Sequence, residues 1–298
     1  MFNYLLYRLG QFLVLALPLK LSYHLAIFFS DVHFLFANID RKTVKENLKA
    51  IFPEKTSRER NKIRLEMFRN FAKYLVDFFR FSILNKEYIR NNITIENLHY
   101  LDDTLKKGKG GIILTAHIGN WELGGVVTAQ LGYPFWAVAL PHKNKKVNDF
   151  FNFQRAIKNV KIIPFGNAVR QSLKVLKDNK LLALVGDRDF TKEKGVAVDF
   201  LNKFTTLPKG PAAFALKTGA PIIPGFMLRN PDDSFTLRFE KPIEIPAQTL
   251  KNQDKNNGFS LDDKKVEEIT ILYKAIIETY IRKYPEQWYM FRKYWIEP

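Results

Sequence analysis

The chain has 298 residues, 46% hydrophobic and 14% aromatic, with no cysteine and a formal net charge of +17. That apolar share argues for a folded protein, and the missing cysteine excludes disulfides, a thiolate nucleophile and Cys-ligated zinc. The basic excess suits an anionic partner: a phospholipid surface, a phosphorylated substrate, an acidic carrier protein or nucleic acid.

From Tyr4 to Phe36 only Arg8, Lys20 and Asp31 carry full charges. The charge-free stretches on either side of Lys20 are shorter than the ~20 residues a spanning helix needs, and Pro18 would kink a continuous one. The pattern predicts two short apolar helices lying in a membrane interface. A single tilted span with Lys20 snorkelling and a buried helical hairpin are the alternatives. A cleaved signal peptide fits poorly, because apolar character runs well past Lys20.

A linker containing Pro53 follows. Thr56 and Glu59 then form a T-x-x-E capping box. The helix it opens carries Leu65, Phe68, Phe71, Ala72, Leu75, Phe78 and Phe79 along one face, a stripe expected in a core or interface. Asn91 to Leu105 is read as a connection.

From Lys109 the chain alternates. Strands are predicted at Gly111 to Thr115, Phe135 to Leu140, Lys161 to Phe165, Leu181 to Val185, Pro221 to Leu228 and Phe235 to Phe239. Helices are predicted at Trp121 to Leu131, Val147 to Lys158, Ala168 to Asp178, Lys209 to Thr218 and, after a polar loop at Lys251 to Asp263, about Lys265 to Tyr284. This rhythm implies an α/β fold with a mainly parallel central sheet flanked by helices. The expected organisation is an apolar helical membrane-associating segment over 1–40. An α/β domain over 41–298 follows, its first part (41–108) helical and amphipathic.

The run His117-Ile118-Gly119-Asn120-Trp121-Glu122 stands where the first strand gives way to a turn and helix. Open α/β sheets place their ligands at such carboxyl ends. Glu122, early in the helix, can fold back onto the imidazole. A carboxylate on one ring nitrogen fixes the tautomer and leaves the other nitrogen as a base. Such a dyad could take a proton from a hydroxyl with no serine or cysteine nucleophile. The plainer reading is a polar turn residue followed by a first-turn helix acid.

Gly186-Asp187-Arg188-Asp189 ends another strand and could face the same crevice. It reads as an Asp-x-Asp metal site, as an ion network around a phosphorylated acceptor, or as loop-capping acids. Arg188 and Lys192 oppose a divalent cation there. Arg155 could bind phosphate or stabilise an oxyanion. Lys209 and Gly210 sit where a helix N-terminus could cradle an anion, or simply at a Pro-primed helix start. Trp288, Arg292, Lys293 and Trp295 fit an aromatic-basic belt at a lipid surface, or a tail docked on the core. No G-x-S-x-G elbow, Walker A loop, H-E-x-x-H or dinucleotide fingerprint occurs. His24, His33, His99 and His142 lack metal spacing, so no metal site is expected.

Taken in order, these pieces resemble the late acyltransferases of lipid A biosynthesis, the lauroyl/myristoyl transferases of the lysophospholipid acyltransferase superfamily. The resemblance spans nearly the whole chain. It runs from the apolar N-terminus through Asn47-Leu48 and Phe52-Pro53 to the His-x4-Glu box. It continues with Arg155, Gly186-Asp187, Pro208 to Ala212, Thr218 to Pro221, Gln287-Trp288 and Arg292. It implies a glycerol-3-phosphate acyltransferase-like fold and a metal-independent enzyme on the cytoplasmic face of a bacterial inner membrane. Such an enzyme moves a fatty acyl chain from acyl carrier protein or acyl-CoA to a glycolipid hydroxyl. No resident cofactor and no nucleic-acid partner are implied, and an anionic membrane surface is. His117 would be the general base and Glu122 its orienting acid. Arg155, Asp187, Asn120, Trp121, Arg188, Lys209 and Gly210 would bind substrate. Backbone amides near Gly119 and Asn120, or Arg155, would stabilise the oxyanion.

The chain departs from the pattern in having Arg188 where many members have Asp-Gln-Asp, and Phe200-Leu201-Asn202 where many have Phe-Phe-Gly. The acceptor is therefore open: a lipid A precursor, or a glycerophospholipid, an ornithine-type lipid or a mannosylated phosphoinositide. An Asp-x-Asp glycosyltransferase and a non-catalytic basic lipid-binding protein are the readings from other classes.

Overall fold

A computed structural model describes residues 2–189, 195–245 and 262–295. Two apolar helices open the chain, α1 (Phe2–Ala16) and α2 (Leu19–Phe36), broken at Leu17-Pro18. Among the described residues no helix is long and apolar enough to cross a membrane. The outer face of this hairpin exposes Leu5, Leu9, Phe12, Phe28, Leu35 and Phe36. Its inner face packs on α4 (Ser57–Phe79), beyond α3 (Asn38–Ile51). The expected capping box starts α4: the Thr56 hydroxyl accepts from Glu59 N–H, and the Glu59 carboxylate accepts from Thr56 N–H. Such a cap contributes about 1 kcal/mol.

The main sheet has seven strands in the order β1-β9-β8-β2-β5-β3-β4. They are β1 (Ile93–Glu96), β2 (Gly111–Thr115), β3 (Phe135–Ala139), β4 (Lys161–Pro164), β5 (Leu181–Val185), β8 (Ile222–Arg229) and β9 (Phe235–Phe239). All neighbours pair in parallel except β8 with β9. A separate antiparallel hairpin joins β6 (Val196–Phe200) to β7 (Lys203–Leu207). Its turn holds Leu201 and Asn202 at φ of 53° and 68°, so Phe200-Leu201-Asn202 forms a hairpin tip rather than part of the main sheet.

Alternation along the strands builds two cores. Ile112, Leu114, Leu182 and Leu184 face α9 (Ala168–Lys177), α10 (Gly210–Thr218) and α11 (Asp263–Lys283). Ile113, Ala183 and Ile223 face α6 (His99–Lys106), α7 (Trp121–Gln130) and α8 (Lys145–Ala156). The segment read as a connection at Asn91 to Leu105 is instead the edge strand β1 followed by α6, with α5 (Lys86–Asn92) before it. β1 pairs with β9, some 140 residues away, so local periodicity over four residues could not reveal it.

The C-terminal aromatics do not form a surface belt at their start. Trp288 is 1% exposed, and Tyr289 and Met290 are buried beside it. Tyr289 N–H donates to the His117 carbonyl, and Ile118 bridges Trp288. Asn47 holds the tail from the other side, donating to the carbonyls of Met290 and Arg292.

A buried polar knot ties the N-terminal helices to this core. Asp77 on α4 accepts from Tyr23 on α2 (2.5 Å), from Asn120 at the start of α7 (2.8 Å) and from Arg229 on β8. Removing one member of a buried ion pair strands the other. Asp77→Ala should therefore lower folding stability by about 3–5 kcal/mol, measured by chemical denaturation. A loss within the ~0.5 kcal/mol typical of surface changes would show that the knot is not structural.

Candidate active site

β2 and β5 lie side by side in parallel with Thr115 opposite Val185, so both chains leave the sheet at the same edge. Beyond β2 comes His117; beyond β5 comes Asp187. His117 Nδ1 lies 2.8 Å from Asp187 Oδ1. Asp187 is fully buried, its other oxygen accepts from Trp288 Nε1 at 2.9 Å, and its backbone carbonyl accepts from Tyr294. Burial works against the Asp187 charge, yet His117, Arg188 and Trp288 outweigh it and hold the carboxyl below the usual range. A buried, ionised carboxylate on Nδ1 keeps the proton on that nitrogen. Nε2 then carries the free lone pair, and it makes no protein hydrogen bond among the described residues.

Burial also depresses the imidazole below its ordinary value; Asp187 pulls upward, while Arg188 and Arg292 push further down. The buried setting thus favours the neutral ring.

This geometry corrects one expectation. The acid that orients His117 is Asp187, not Glu122. Both Glu122 oxygens are taken by Arg155, at 2.9 Å to Nε and 2.5 Å to Nη2. Glu122 stands on the first turn of α7, and that position directs it toward α8, which carries Arg155. Burial works against the Arg155 guanidinium, but Glu122 outweighs it and secures the charge.

A second correction concerns the turn amides. Gly119 N–H donates to the Gln287 carbonyl at 2.9 Å and Asn120 N–H to the Met227 carbonyl at 2.8 Å, so neither is free to hold an oxyanion. Asn120 leaves the substrate-binding set for a similar reason. It is 2% exposed, its Oδ1 caps α7 by accepting from Leu123 N–H, and its Nδ2 is spent on Asp77. Gly119 is required here: its φ is +61°, and a Cβ would come 2.0 Å from the Met227 carbonyl oxygen.

His117 opens onto a cleft of about 680 Å³. Trp121, Glu122, Arg155, Arg188, Lys209 and Gly210 line it with His117, whereas Asp187 stands behind the ring and Asn120 lies outside. Most of the remaining wall is apolar, including Leu140, Phe151, Val169, Leu184 and Phe214, none of which the motifs singled out. Trp121 packs edge-on to His117, with ring centroids 5.0 Å apart. Arg188 donates to the Tyr289 carbonyl. Pro208, Lys209 and Gly210 bring the start of α10 to the cleft wall. Lys192 lies outside the described residues. Among the described residues no group of three acid or histidine side chains is arranged to hold a metal ion.

Compared with known proteins, residues 1–297 match the family described as bacterial lipid A biosynthesis acyltransferase. The chain belongs to that family. It is an O-acyltransferase, as the motif resemblance implied. A phosphatidylinositol mannoside acyltransferase of Mycolicibacterium smegmatis is 24% identical over 297 residues, covering 97% of this chain and 90% of that protein. A lipid A biosynthesis acyltransferase of Haemophilus influenzae is 22% identical, over 85% of this chain and 74% of its own length. A lipid A biosynthesis palmitoleoyltransferase of Escherichia coli is 24% identical, over 70% and 68% respectively.

The two acid partnerships in this acyltransferase separate by double-mutant analysis. Glu122→Ala and Arg155→Ala should lose activity by similar factors, and the double variant should lose little more than either, because they act as one pair. Glu122→Ala combined with Asp187→Ala should compound. Single-turnover rates of the purified variants measure both; additive losses for Glu122 and Arg155 would contradict the pairing.

Proposed function

We propose that this enzyme transfers a fatty acyl chain from an acyl thioester to a hydroxyl of a glycolipid at a membrane surface, with His117 as general base. The observation that carries the reading is the imidazole itself: Nδ1 anchored on Asp187, Nε2 free at the mouth of a largely apolar cleft. The thioester would come from acyl carrier protein or acyl-CoA, and the formal charge of +17 suits either acidic donor. No resident cofactor is called for. By family resemblance the reaction belongs on the cytoplasmic face of a bacterial inner membrane.

The acceptor approaches with its hydroxyl at Nε2. As the oxygen attacks the thioester carbonyl carbon, its proton passes to Nε2 and the imidazolium is stabilised by Asp187. The tetrahedral intermediate then collapses: the C–S bond breaks, and the leaving sulfur takes the proton back from the ring. No acyl-enzyme forms. With the Gly119 and Asn120 amides engaged elsewhere, and Arg155 engaged by Glu122 and Asn152, the developing negative charge falls to the cations lining the cleft, Arg188 and Lys209. The fatty chain would lie along the apolar wall.

The acceptor class is a glycolipid because the relatives' names share it: phosphatidylinositol mannoside for one, lipid A for two others. A lipid A precursor is the first candidate and a mannosylated phosphoinositide the second. Supplying labelled acyl carrier protein and CoA thioesters with a panel of lipid acceptors, and identifying the product by mass spectrometry, tests both donor and acceptor. His117→Ala should fold and lose about 10²–10⁴-fold in turnover. Near-wild-type turnover would refute the assignment.

The pH profile has a defined sign. Protonating His117 removes the base, so activity falls as pH drops through its pKa. That limb should lie below the ordinary histidine value of about 6.5, because burial lowers the ring. Asp187→Asn removes the attraction that favours the imidazolium. It should therefore move the limb to still lower pH while reducing kcat. A limb that moved upward would mean Asp187 does not face the titrating ring.

A further inference from the structure

A second apolar groove, of about 430 Å³, lies between α1, α2 and α4. It shares no lining residue with the catalytic cleft. Leu13, Leu25, Phe29, Phe71 and Phe291 line it, and Phe68 forms part of its wall. Its size falls in the ordinary range of ligand pockets, roughly 300–1,000 Å³. Stacked aromatic rings separate it from the cleft: Phe71 on Tyr74, and Tyr74 on Trp121 at 4.6 Å. The groove belongs to the same hairpin that exposes Phe12, Phe28 and Phe36.

Phe68 meets Phe34 edge-on at 5.0 Å. Over that Phe34 ring sit two guanidinium groups, Arg41 at 5.0 Å and Arg64 at 5.4 Å from its centroid. Arg41 uses Nη1 on the carbonyls of Phe34 and Leu35, and Arg64 uses Nη1 on the carbonyl of Arg41. Neither has a carboxylate partner among the described residues, and the Nη2 group of each has no protein acceptor there. Asp40, next to Arg41 in sequence, lines the groove and forms no ion pair with either arginine among the described residues. Both Nε atoms are buried without an acceptor. Burial and the neighbouring Arg41 charge both work against the Arg64 cation. Two like charges held together over one ring, with donors to spare, are stabilised by an anion between them. The anion must reach a site at the end of α2, where Leu35, Phe36 and Ile39 are exposed.

We infer that Arg41 and Arg64 grip the headgroup phosphate of an anionic membrane lipid, whose fatty chain lies in the groove between α1, α2 and α4. The lipid seats the hairpin in the bilayer interface and is distinct from the acyl chain in the cleft. The inference rests on the membrane reading proposed above, and names the residues and the lipid chemistry that reading lacks.

The test is partition of the full-length protein into vesicles of phosphatidylcholine alone or mixed with phosphatidylglycerol, measured by co-flotation. The wild type should prefer the anionic vesicles. Arg41→Gln/Arg64→Gln should lose about 30-fold of that preference, at ~1 kcal/mol for each basic residue near an anionic surface. Arg64→Gln alone, which leaves the Arg41 contacts to α2 intact, should lose part of it. Lys109→Gln/Lys241→Gln removes the same charge from two exposed residues, one just before β2 and one just after β9, and should keep the preference. Retention by the arginine variant, or an equal loss in the lysine variant, overturns the site. So does a wild type that binds inorganic phosphate yet does not discriminate between vesicles. A wild type that floats with neither vesicle fails the membrane reading itself, and the two failures are thereby distinguished.

Discussion

A 2.8 Å contact between His117 and Asp187 requires two segments 70 residues apart to end side by side. The parallel pairing of β2 with β5 meets that requirement. The Ile-Ile-Leu and Leu-Ala-Leu runs are buried on both faces, as strands of a helix-covered parallel sheet must be. Their register puts Thr115 against Val185, so the two exits coincide. Gly186 lets them coincide: a Cβ there would lie 2.8 Å from the Leu114 side chain. The tail then closes the pair. Trp288 supplies the second donor to Asp187, and Tyr289 pins the His117 carbonyl. Sheet, turn and C-terminus thus converge on one carboxylate, and the orientation of the imidazole follows from it.

The alternating part of the chain was legible because glycine and proline punctuate it. β2, β5 and β9 stand where apolar runs bounded by such residues place them, and α7 begins at the residue after its asparagine cap. What could not be read is what depends on partners distant in sequence. His117 and Glu122 are five residues apart, which suggested contact; α7 instead directs Glu122 toward α8. The asparagine cap was local and readable, but its bond to Asp77 reaches a helix 43 residues earlier. The turn amides looked free for the same reason: their acceptors, on Met227 and Gln287, are more than 100 residues downstream. Asp187 carried a usable signal, since a polar cluster at a strand's carboxyl end belongs near any other such cluster once the strands are known to be neighbours. Strand order is the piece that sequence periodicity does not contain.

The apolar cleft wall escaped notice for a related reason. Phe151, Val169, Leu184 and Phe214 come from α8, α9, β5 and α10. Each reads in sequence as an ordinary core position on its own element. Only their convergence leaves a gap rather than a packed contact, and that gap opens where His117 presents Nε2. The cleft therefore combines a largely apolar wall with a few cations. The Arg155-Glu122 ion pair also gains from this setting. Its side chains are only 10% and 13% exposed, so the charges are weakly screened and the bidentate geometry holds the guanidinium in one orientation.

The N-terminal hairpin is bound to the site by more than packing. Tyr23 on α2 and Asn120 at the head of α7 share the Asp77 carboxylate, and Arg229 closes the knot from β8. Asn120 directly follows Gly119, whose amide is fixed by the tail, so the turn bearing His117 has little freedom while the knot is intact. Buried polar networks act as units, since a half-satisfied one costs more than none. Moving α2 would therefore break the Tyr23 bond and leave Asp77 short of a donor one hydrogen bond from the imidazole turn. The helices that expose the apolar face and the turn that carries His117 are thus held in one arrangement.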